Sequence, residues 1–190
     1  MNRSKAREVV KKAVRRALDA FYDHIESDEE RYIPDGLNYY DDDELIDIVE
    51  QGELEPVTDI PEGISSFASR FNIFFLDDSN GPVYISPSTI LIGPRRWYTT
   101  PGGLHGSLIH ELSHAAILEK ANDYEQEEVA VEISTIYIKA VLGLPLEITI
   151  TIAYLTGYID QIDYEDKDVE DIVWSNFELG IRTGNWILSQ

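Results

Sequence analysis

Apolar residues recur at steps of three and four along three stretches of the chain, which is the spacing of one face of an α-helix. These stretches cover residues 4–23, 125–142 and 166–188. A fourth helix is predicted over residues 101–120, because a threonine followed by a proline is typical of a helix start. The pattern therefore predicts helices at both ends of the chain and throughout its second half.

Short β-strands are predicted between the first helix and the others. The apolar run Ile73–Leu76 is typical of a buried strand, and residues 84–92 indicate a strand that is broken or bulged at Pro87. Since a sheet tolerates proline far better at its edge than in its centre, we expect an edge strand over residues 84–92. Residues 148–152 are ambiguous, but their alternating Ile and Thr favour a strand by propensity. Helices with a small mixed or antiparallel sheet predict an α+β fold.

The chain is strongly acidic, and its charge is unevenly distributed. Its 190 residues carry 36 acidic and 15 basic side chains, a formal net charge of −21. Seven of the basic residues lie within residues 1–16, where Glu8 is the only acid. The remaining acidic body should repel nucleic acid, so we expect no direct nucleic-acid binding. Its charge fits a solubilising surface, a DNA-like surface or attraction to basic substrates, and composition alone favours the first.

The basic first helix and the lack of cysteine narrow the picture further. The basic face of residues 4–23 fits either phosphate binding or docking on the acidic body, and the opposite charge within the chain favours docking.

Without cysteine, disulfides and thiolate metal sites are excluded. No apolar signal segment follows the basic start, and no apolar run approaches a membrane span. We therefore expect a soluble, cytoplasmic protein with no membrane partner.

The most specific chemical pattern is His-Glu-x-x-His at residues 110–114. Histidines four residues apart share one face of a helix, so the imidazoles of His110 and His114 can reach one metal ion. Glu111 can reach a metal-bound water as a general base. The apolar neighbours of the motif are typical of a buried active-site helix rather than of a chance match on a polar one. The motif therefore predicts a Zn²⁺ site.

Two histidines do not complete a catalytic zinc site, which takes three protein ligands and keeps one position open. Glu128 and Glu132 lie one turn apart on the next predicted helix, so a helix that turns back would aim both at the histidines. We assign Glu128 as the third ligand and Glu132 as a hydrogen-bond acceptor for a ligand histidine, and the exchange of these roles stays open. Glu125 and Glu127 are expected to be exposed acids near the helix start.

The two other histidines are not expected to bind the metal. His105 precedes His110 by five residues, so it points off the shared face and is interpreted as a rim or surface residue. His24 lies at the end of the first predicted helix and is interpreted as a helix-terminal charge.

From about residue 67 to residue 188, the chain resembles the zincin-like metallopeptidase domain of ArdC-type antirestriction proteins of plasmids and phages. The order and spacing of several motifs carry this resemblance, and together they are more specific than His-Glu-x-x-His alone. The motifs are Tyr84-Ile-Ser-Pro87, His110-Glu111-Leu112-x-His114, Glu127-Glu128-Val-Ala-Val-Glu132, Leu142-Gly143-Leu144, Ala153-Tyr154-Leu155 and Trp186-Ile187-Leu188.

The resemblance implies a zincin-like fold in which a small sheet, the His-Glu-x-x-His helix and a C-terminal helical bundle form one domain. It implies that residues 148–159 are helical, against their propensity, and that a tryptophan should stand where this chain has Tyr158. We divide the chain into a helical and acidic arm, residues 1–62, and the metallopeptidase domain, residues 63–190. The family's N-terminal domain is associated with single-stranded DNA binding, but this short acidic arm gives no reason to expect that activity here.

These features predict a zinc-dependent metallopeptidase that hydrolyses a protein or peptide substrate, in antirestriction or another mobile-element function. His110, His114 and Glu128 would bind Zn²⁺, and Glu111 would take a proton from the activated water and pass it to the leaving amine. The edge strand would pair with the extended substrate. A further residue is expected to stabilise the oxyanion of the transition state. The candidates are Tyr84, Tyr98, Tyr154 and Arg95.

A binding protein is the rival hypothesis. Its acidic, DNA-like surface would occupy and inhibit a nucleic-acid-binding partner, and zinc would have only a structural role. A third hypothesis is a degenerate metalloprotein that has no substrate, and the intact Glu111 argues against degeneration.

Overall fold

The computed structural model describes residues 1–27, 54–76, 82–85, 88–117, 124–162 and 168–190. Its helices are α1 (Arg3–Ser27), the short α2 (Ser65–Ala68), α3 (Pro101–Ala116), α4 (Tyr124–Leu142), α5 (Ile148–Gln161) and α6 (Val169–Ile187). Single turns of 3-10 helix, Glu62–Ile64 and Arg95–Trp97, precede α2 and α3. Within these ranges no helix is both long enough and apolar enough to cross a membrane.

The described residues also form a four-stranded sheet with the strand order β1-β2-β4-β3. The strands are β1 (Glu55–Pro56), β2 (Asn72–Phe75), β3 (Val83–Ile85) and β4 (Thr89–Ile92). β2 and β4 run parallel, whereas β1 pairs with β2 and β3 pairs with β4 in antiparallel fashion. Helices with a small mixed sheet confirm the α+β class.

The prediction of one edge strand over residues 84–92 is wrong in its second half. β3 lies at the edge of the sheet, but β4 lies between β2 and β3. Ile90, Leu91 and Ile92 are completely buried, because both faces of this central strand are covered. Pro87, on which the edge assignment depended, lies outside the described residues.

Residues 148–152 belong to helix α5, as the resemblance implied and against their β-propensity. Packing explains this, because Leu155 and Ile159 stand one turn apart on α5 and are both fully buried in the core that α5 shares with α1 and α4. Strand propensity is weaker than such a tertiary context. Helix α3 ends four residues earlier than predicted, since Ile117 already adopts an extended backbone conformation.

Two apolar cores position the helices. The first joins α1 to α4, α5 and α6 and contains the buried face of α1: Ala6, Val10, Ala13, Val14, Ala17, Leu18 and Phe21. Arg7 of α1 also forms an ion pair with Glu178 of α6, so the predicted docking of the basic helix is confirmed. The second core lies between the sheet and α3. The division of the chain at residue 62 stays a prediction.

Helix α6 approaches α4 very closely at Gly180. A Cβ atom at this position would collide with the carbonyl oxygen of Ala130 and would lie 2.7 Å from Cγ2 of Ile133. We predict that Gly180→Ala lowers the free energy of unfolding by about 1–3 kcal/mol, as overpacking does. Gly157→Ala on α5 is the matched control, because its Cβ would meet open space and should raise stability by up to about 1 kcal/mol. Urea unfolding measures both, and equal effects would contradict the close approach.

Candidate metal centre

Helix α3 begins at a well-formed cap and packs against α4 through small polar side chains. The Thr100 hydroxyl accepts a hydrogen bond from the backbone N–H of Gly103, and Pro101 occupies the first helical position. Further along α3, the buried hydroxyls of Ser113 and Ser134 are hydrogen-bonded at 2.9 Å across the two helices. Small side chains at this contact let the helices approach, which brings their polar faces together.

The two helices bring His110, His114 and Glu128 into one group. Nε2 of His110 and Nε2 of His114 face each other at 3.2 Å. The Glu128 carboxylate lies against both rings, with Oε2 3.1 Å from Nε2 of His110 and Oε1 3.3 Å from Nε2 of His114. Glu128 is almost fully buried, whereas the two histidines keep a small exposed area. The ligand atoms therefore converge at the end of a partly open site.

His110, His114 and Glu128 can hold a metal ion, and we call them the metal-binding group. One potential ligand atom from each residue lies within 4.8 Å of the other two. Oε2 of Glu128 is buried but has no partner in hydrogen-bond geometry, which is costly unless a cation or donor satisfies it. One hydrogen shared between the two Nε2 atoms requires one ring to donate and the other to accept, whereas a metal ion can bind the lone pairs of both nitrogens. Imidazole and carboxylate together are a donor set that suits first-row divalent ions.

The other ring nitrogen of each histidine also has a carboxylate partner. Nδ1 of His110 lies 3.3 Å from Oε2 of Glu132, and Nδ1 of His114 lies 2.9 Å from Oε1 of Glu127. If each Nδ1 donates, each Nε2 presents its lone pair to the metal position. The structure thus places Glu128 against both Nε2 atoms and Glu132 against one Nδ1. Glu127 is partly buried, so its prediction as an exposed acid is wrong.

The charges of His110, His114 and Glu128 strongly influence one another's pKa. Burial opposes the charged form of each histidine, but close contacts with carboxylates outweigh it: the pKa of His110 is well above 6.5, and the pKa of His114 is raised to about 9. Burial also disfavours ionised Glu128, yet contacts with the two rings hold its pKa below the ordinary value. Without a metal, protons on the imidazoles therefore balance the acids.

Glu111 lies in the same environment but does not belong to the metal-binding group. Its side chain is buried, and desolvation raises its pKa despite the neighbouring rings of His110 and His114. The backbone N–H of Tyr84, in edge strand β3, lies close enough to this carboxylate to oppose the rise of its pKa. A carboxylate with a raised pKa beside a metal-binding group is suited to proton transfer.

The three candidate tyrosines lie in different settings. The ring of Tyr84 packs edge-on against Phe71, so this residue meets Glu111 through its backbone. Burial raises the pKa of Tyr98, and the nearby charge of Glu111 also raises it. Tyr154 is 54% exposed.

Arg95 does not face the metal-binding group. Its guanidinium forms an ion pair with Glu55 of β1 and lies over the ring of Phe75. These contacts hold the side chain at the opposite end of the sheet order from β3. We therefore leave Arg95 out of the candidate site.

Tyr158 is a site residue that the sequence did not single out by its chemistry. Its ring stacks on Tyr154 with the centroids 6.5 Å apart and packs against the core that α5 shares with α1 and α4. Burial, then the charges of Glu128 and Glu132, raise its pKa, so it stays protonated. One signal was available: Tyr154 and Tyr158 are four residues apart, on one face of a helix.

The prediction that His105 is a rim or surface residue is wrong. Its side chain is buried, and Nε2 lies 3.3 Å from Oδ1 of Asp59 without hydrogen-bond geometry. The loop that carries Asp59 and the second apolar core cover this turn of α3. The side chain of His24 lies outside the described residues.

A cavity of about 690 Å³ lies between α1 and α6 and shares no lining residue with the metal-binding group. Arg7, Lys11 and Arg15 line it together with Asp19, Glu170 and Glu178, above an apolar floor. Its charges of both signs balance, so its lining does not define a ligand class.

In comparisons with protein-family models, with curated proteins and with solved structures, nothing matches this chain. The resemblance to the ArdC-type domain therefore stays a prediction from the motifs, and the site must be interpreted from its own chemistry.

Proposed function

We propose that the protein is a zinc-dependent peptidase. One observation carries the proposal: buried Glu111, a carboxylate of raised pKa, lies beside the group formed by His110, His114 and Glu128. A metal site that is only structural is closed by four ligands and needs no base. Three ligands with a neighbouring carboxylate are the requirement of a hydrolytic site. The proposed location in the cytoplasm and the antirestriction role depend on the sequence alone.

The donor set supports zinc, which binds imidazole nitrogen and carboxylate oxygen at about 2.0–2.2 Å in tetrahedral geometry. The two Nε2 atoms are 3.2 Å apart, and each lies close to a different oxygen of Glu128, at 3.1 Å for His110 and 3.3 Å for His114. Three protein ligands leave one position for water or substrate.

The residues of the site divide the reaction among them. When bound, the ion supplies Lewis-acid activation of water and of the scissile carbonyl. Glu111 accepts a proton from the attacking water and donates it to the amine that leaves when the peptide bond breaks. Glu132 and Glu127 accept hydrogen bonds from Nδ1 of the histidines and keep both rings oriented. Tyr98, near Glu111, is the candidate that best fits a donor to the developing oxyanion.

Strand β3 lies at an edge of the described sheet and offers the substrate a backbone to pair with. Tyr84 pairs with Ile90 of β4 by register, yet its N–H faces Glu111. N–H and C=O of one strand residue point the same way, so the carbonyl of Tyr84 also faces the site. An extended peptide that pairs there would bring a peptide bond to Glu111. In the described sheet β3 is an edge strand, whereas β4 is central.

The experiment is hydrolysis of a proteome-derived peptide library by the zinc-loaded protein, with mass spectrometry to detect new peptide termini. We expect cleavage that disappears after chelation and returns with added Zn²⁺. Glu128→Gln should lower both zinc binding and cleavage, because Glu128 contacts both Nε2 atoms. A protein that binds one zinc ion but cleaves no peptide or host protein would contradict the proposal.

The net charge of −21 favours one rival, inhibition of a nucleic-acid-binding partner by the acidic surface. Different substitutions abolish the two functions. Inhibition of a nucleic-acid-binding partner would survive Glu111→Gln and would disappear when exposed acids are neutralised. Activity of the peptidase would show the reverse pattern.

A further inference from the structure

Lys139 is a buried lysine of α4 that the proposed reaction does not use. Among the described residues it is the only buried Lys or Arg, with 6% of its surface exposed. Its ammonium donates a hydrogen bond of 3.2 Å to the backbone carbonyl oxygen of Gly102 in α3 and lies 3.9 Å from Oε2 of Glu147. Because burial of a charged group is costly, the contacts that keep Lys139 in the core indicate a role for it.

The ammonium of Lys139 fits against α3 because Gly106 has no side chain. A Cβ atom at Gly106 would lie 3.2 Å from Nζ, so the end of the lysine takes the space that a side chain would need. Gly102 and Gly106 are about one helical turn apart, so Lys139 contacts two successive turns of α3. The lysine thereby connects the two helices that supply the metal ligands.

Lys139 and the metal-binding group lie along the same interface between α3 and α4. Residues of α3 at steps of four form one row on the helix, and Glu128 and Lys139 lie on one side of α4, about three turns apart. The row on α3 is Gly102, Gly106, His110 and His114. Glu128 contacts the two histidines of this row, whereas Lys139 contacts the two glycines. The same two helix faces therefore carry the ligands and the lysine.

His110 lies between two polar contacts that join these helices. The Ser113 hydroxyl is hydrogen-bonded to Ser134 on one side of it, and Lys139 is hydrogen-bonded to Gly102 on the other. We propose that Lys139 is a positioning residue, which holds α3 against α4 and thereby sets the affinity of the site for its metal ion. The inference rests on the metal site of the proposed function but not on peptide hydrolysis, so metal affinity tests it separately from activity.

The sign of the effect on metal affinity separates positioning from electrostatics. A positive charge repels a cation, so loss of the Lys139 charge by itself should strengthen zinc binding. If Lys139 positions α3, its loss lets the two helices shift, and zinc binding should become weaker.

The test compares Lys139→Met with Lys12→Met. Both substitutions replace an ammonium by an unbranched apolar side chain, but Lys12 is exposed on α1, which contributes no ligand to the metal-binding group. Zinc affinity is measured by competition with a chromophoric chelator. We expect Lys139→Met to bind zinc about 3–30-fold more weakly, the range in which residues that do not touch a ligand change its affinity. Lys12→Met should bind zinc at least as tightly as the wild type.

Two further measurements separate positioning from a loss of folding. Urea unfolding of metal-free Lys139→Met should give a free energy at or above the wild-type value, because an apolar side chain replaces a buried charge and the partner acid Glu147 is 41% exposed. The absorption bands of bound Co²⁺, which report the ligand geometry, should shift in Lys139→Met and stay unchanged in Lys12→Met.

Gly106→Ala decides the question if Lys139→Met does not fold. Its Cβ would require Nζ of Lys139 to move by a few tenths of an ångström while the charge is kept, so zinc binding should again become weaker. Zinc affinity at or above the wild-type value in the folded variant would overturn the proposal, as would unchanged Co²⁺ bands in Lys139→Met. A wild-type protein that binds no zinc would overturn this inference together with the proposed function, whereas failure of peptide hydrolysis alone would overturn only the proposed function.

Discussion

Replacing Glu111 by Gln is expected to lower kcat for peptide hydrolysis by about 10²–10⁴-fold, the range that a general base contributes. The amide keeps the size of the side chain but cannot accept and return a proton. Zinc should remain bound, because the metal-binding group consists of His110, His114 and Glu128. Steady-state kinetics on a cleaved peptide, with metal analysis of the same sample, measures both effects.

Glu8→Gln is the matched control for this substitution. Glu8 is exposed on α1, a helix that contributes no ligand to the metal-binding group, so kcat and zinc content should equal those of the wild type. More than a tenth of wild-type turnover in purified Glu111→Gln would exclude Glu111 as the base. Loss of zinc from this variant would instead show that Glu111 helps to hold the metal.

The spacing of a helix made the metal-binding group predictable from the sequence. His110 and His114 had to share one face of α3 because they are four residues apart. Glu128 needed only one further condition, that α4 turns back on α3, and the structure meets it. The first step depends on residue spacing within one helix and the second on the short connection between α3 and α4. Both can be deduced from the sequence.

The missed partners depend on packing between distant segments. Tyr158 lies near Glu128 because α5 packs against α4, and no local pattern specifies that packing. Glu127 precedes Glu128, and its contact with His114 follows from the rotation of α4. The burial of His105 likewise depends on the loop around Asp59. Periodicity tells which residues share a face but not which neighbour covers it.

The same reasoning explains the errors in the sheet and in α5. The preference of proline for edge strands suggested an edge strand over residues 84–92. Instead β4 is central, in agreement with its apolar residues, and Ile90 and Ile92 are completely buried. Local propensity favoured a strand over residues 148–152, whereas the buried stripe of α5 required a helix. Where propensity and burial disagreed, burial determined the structure.

The metal-free protein should lose stability as the pH rises from 6.5 to about 9. Contacts with Glu127 and Glu128 overcome the cost of burial and raise the pKa of His114 from 6.5 to about 9. Below pH 6.5 the imidazole is protonated in both the folded and the unfolded state, so its contribution to stability is complete. As the pH rises through the folded pKa, that contribution is lost, on the order of 3 kcal/mol for His114. Urea unfolding of the chelated protein at both pH values measures the loss.

His114→Asn isolates this contribution, because general repulsion among the acidic side chains acts on the variant and on the wild type alike. The variant should show a clearly smaller loss between pH 6.5 and 9, and an equal or larger loss would contradict the raised pKa of His114. Zinc should have the opposite pH dependence. It competes with protons for the two imidazoles, so its affinity should increase over the range in which the metal-free protein becomes less stable. At the higher pH a bound metal ion should therefore contribute most to the stability of the protein.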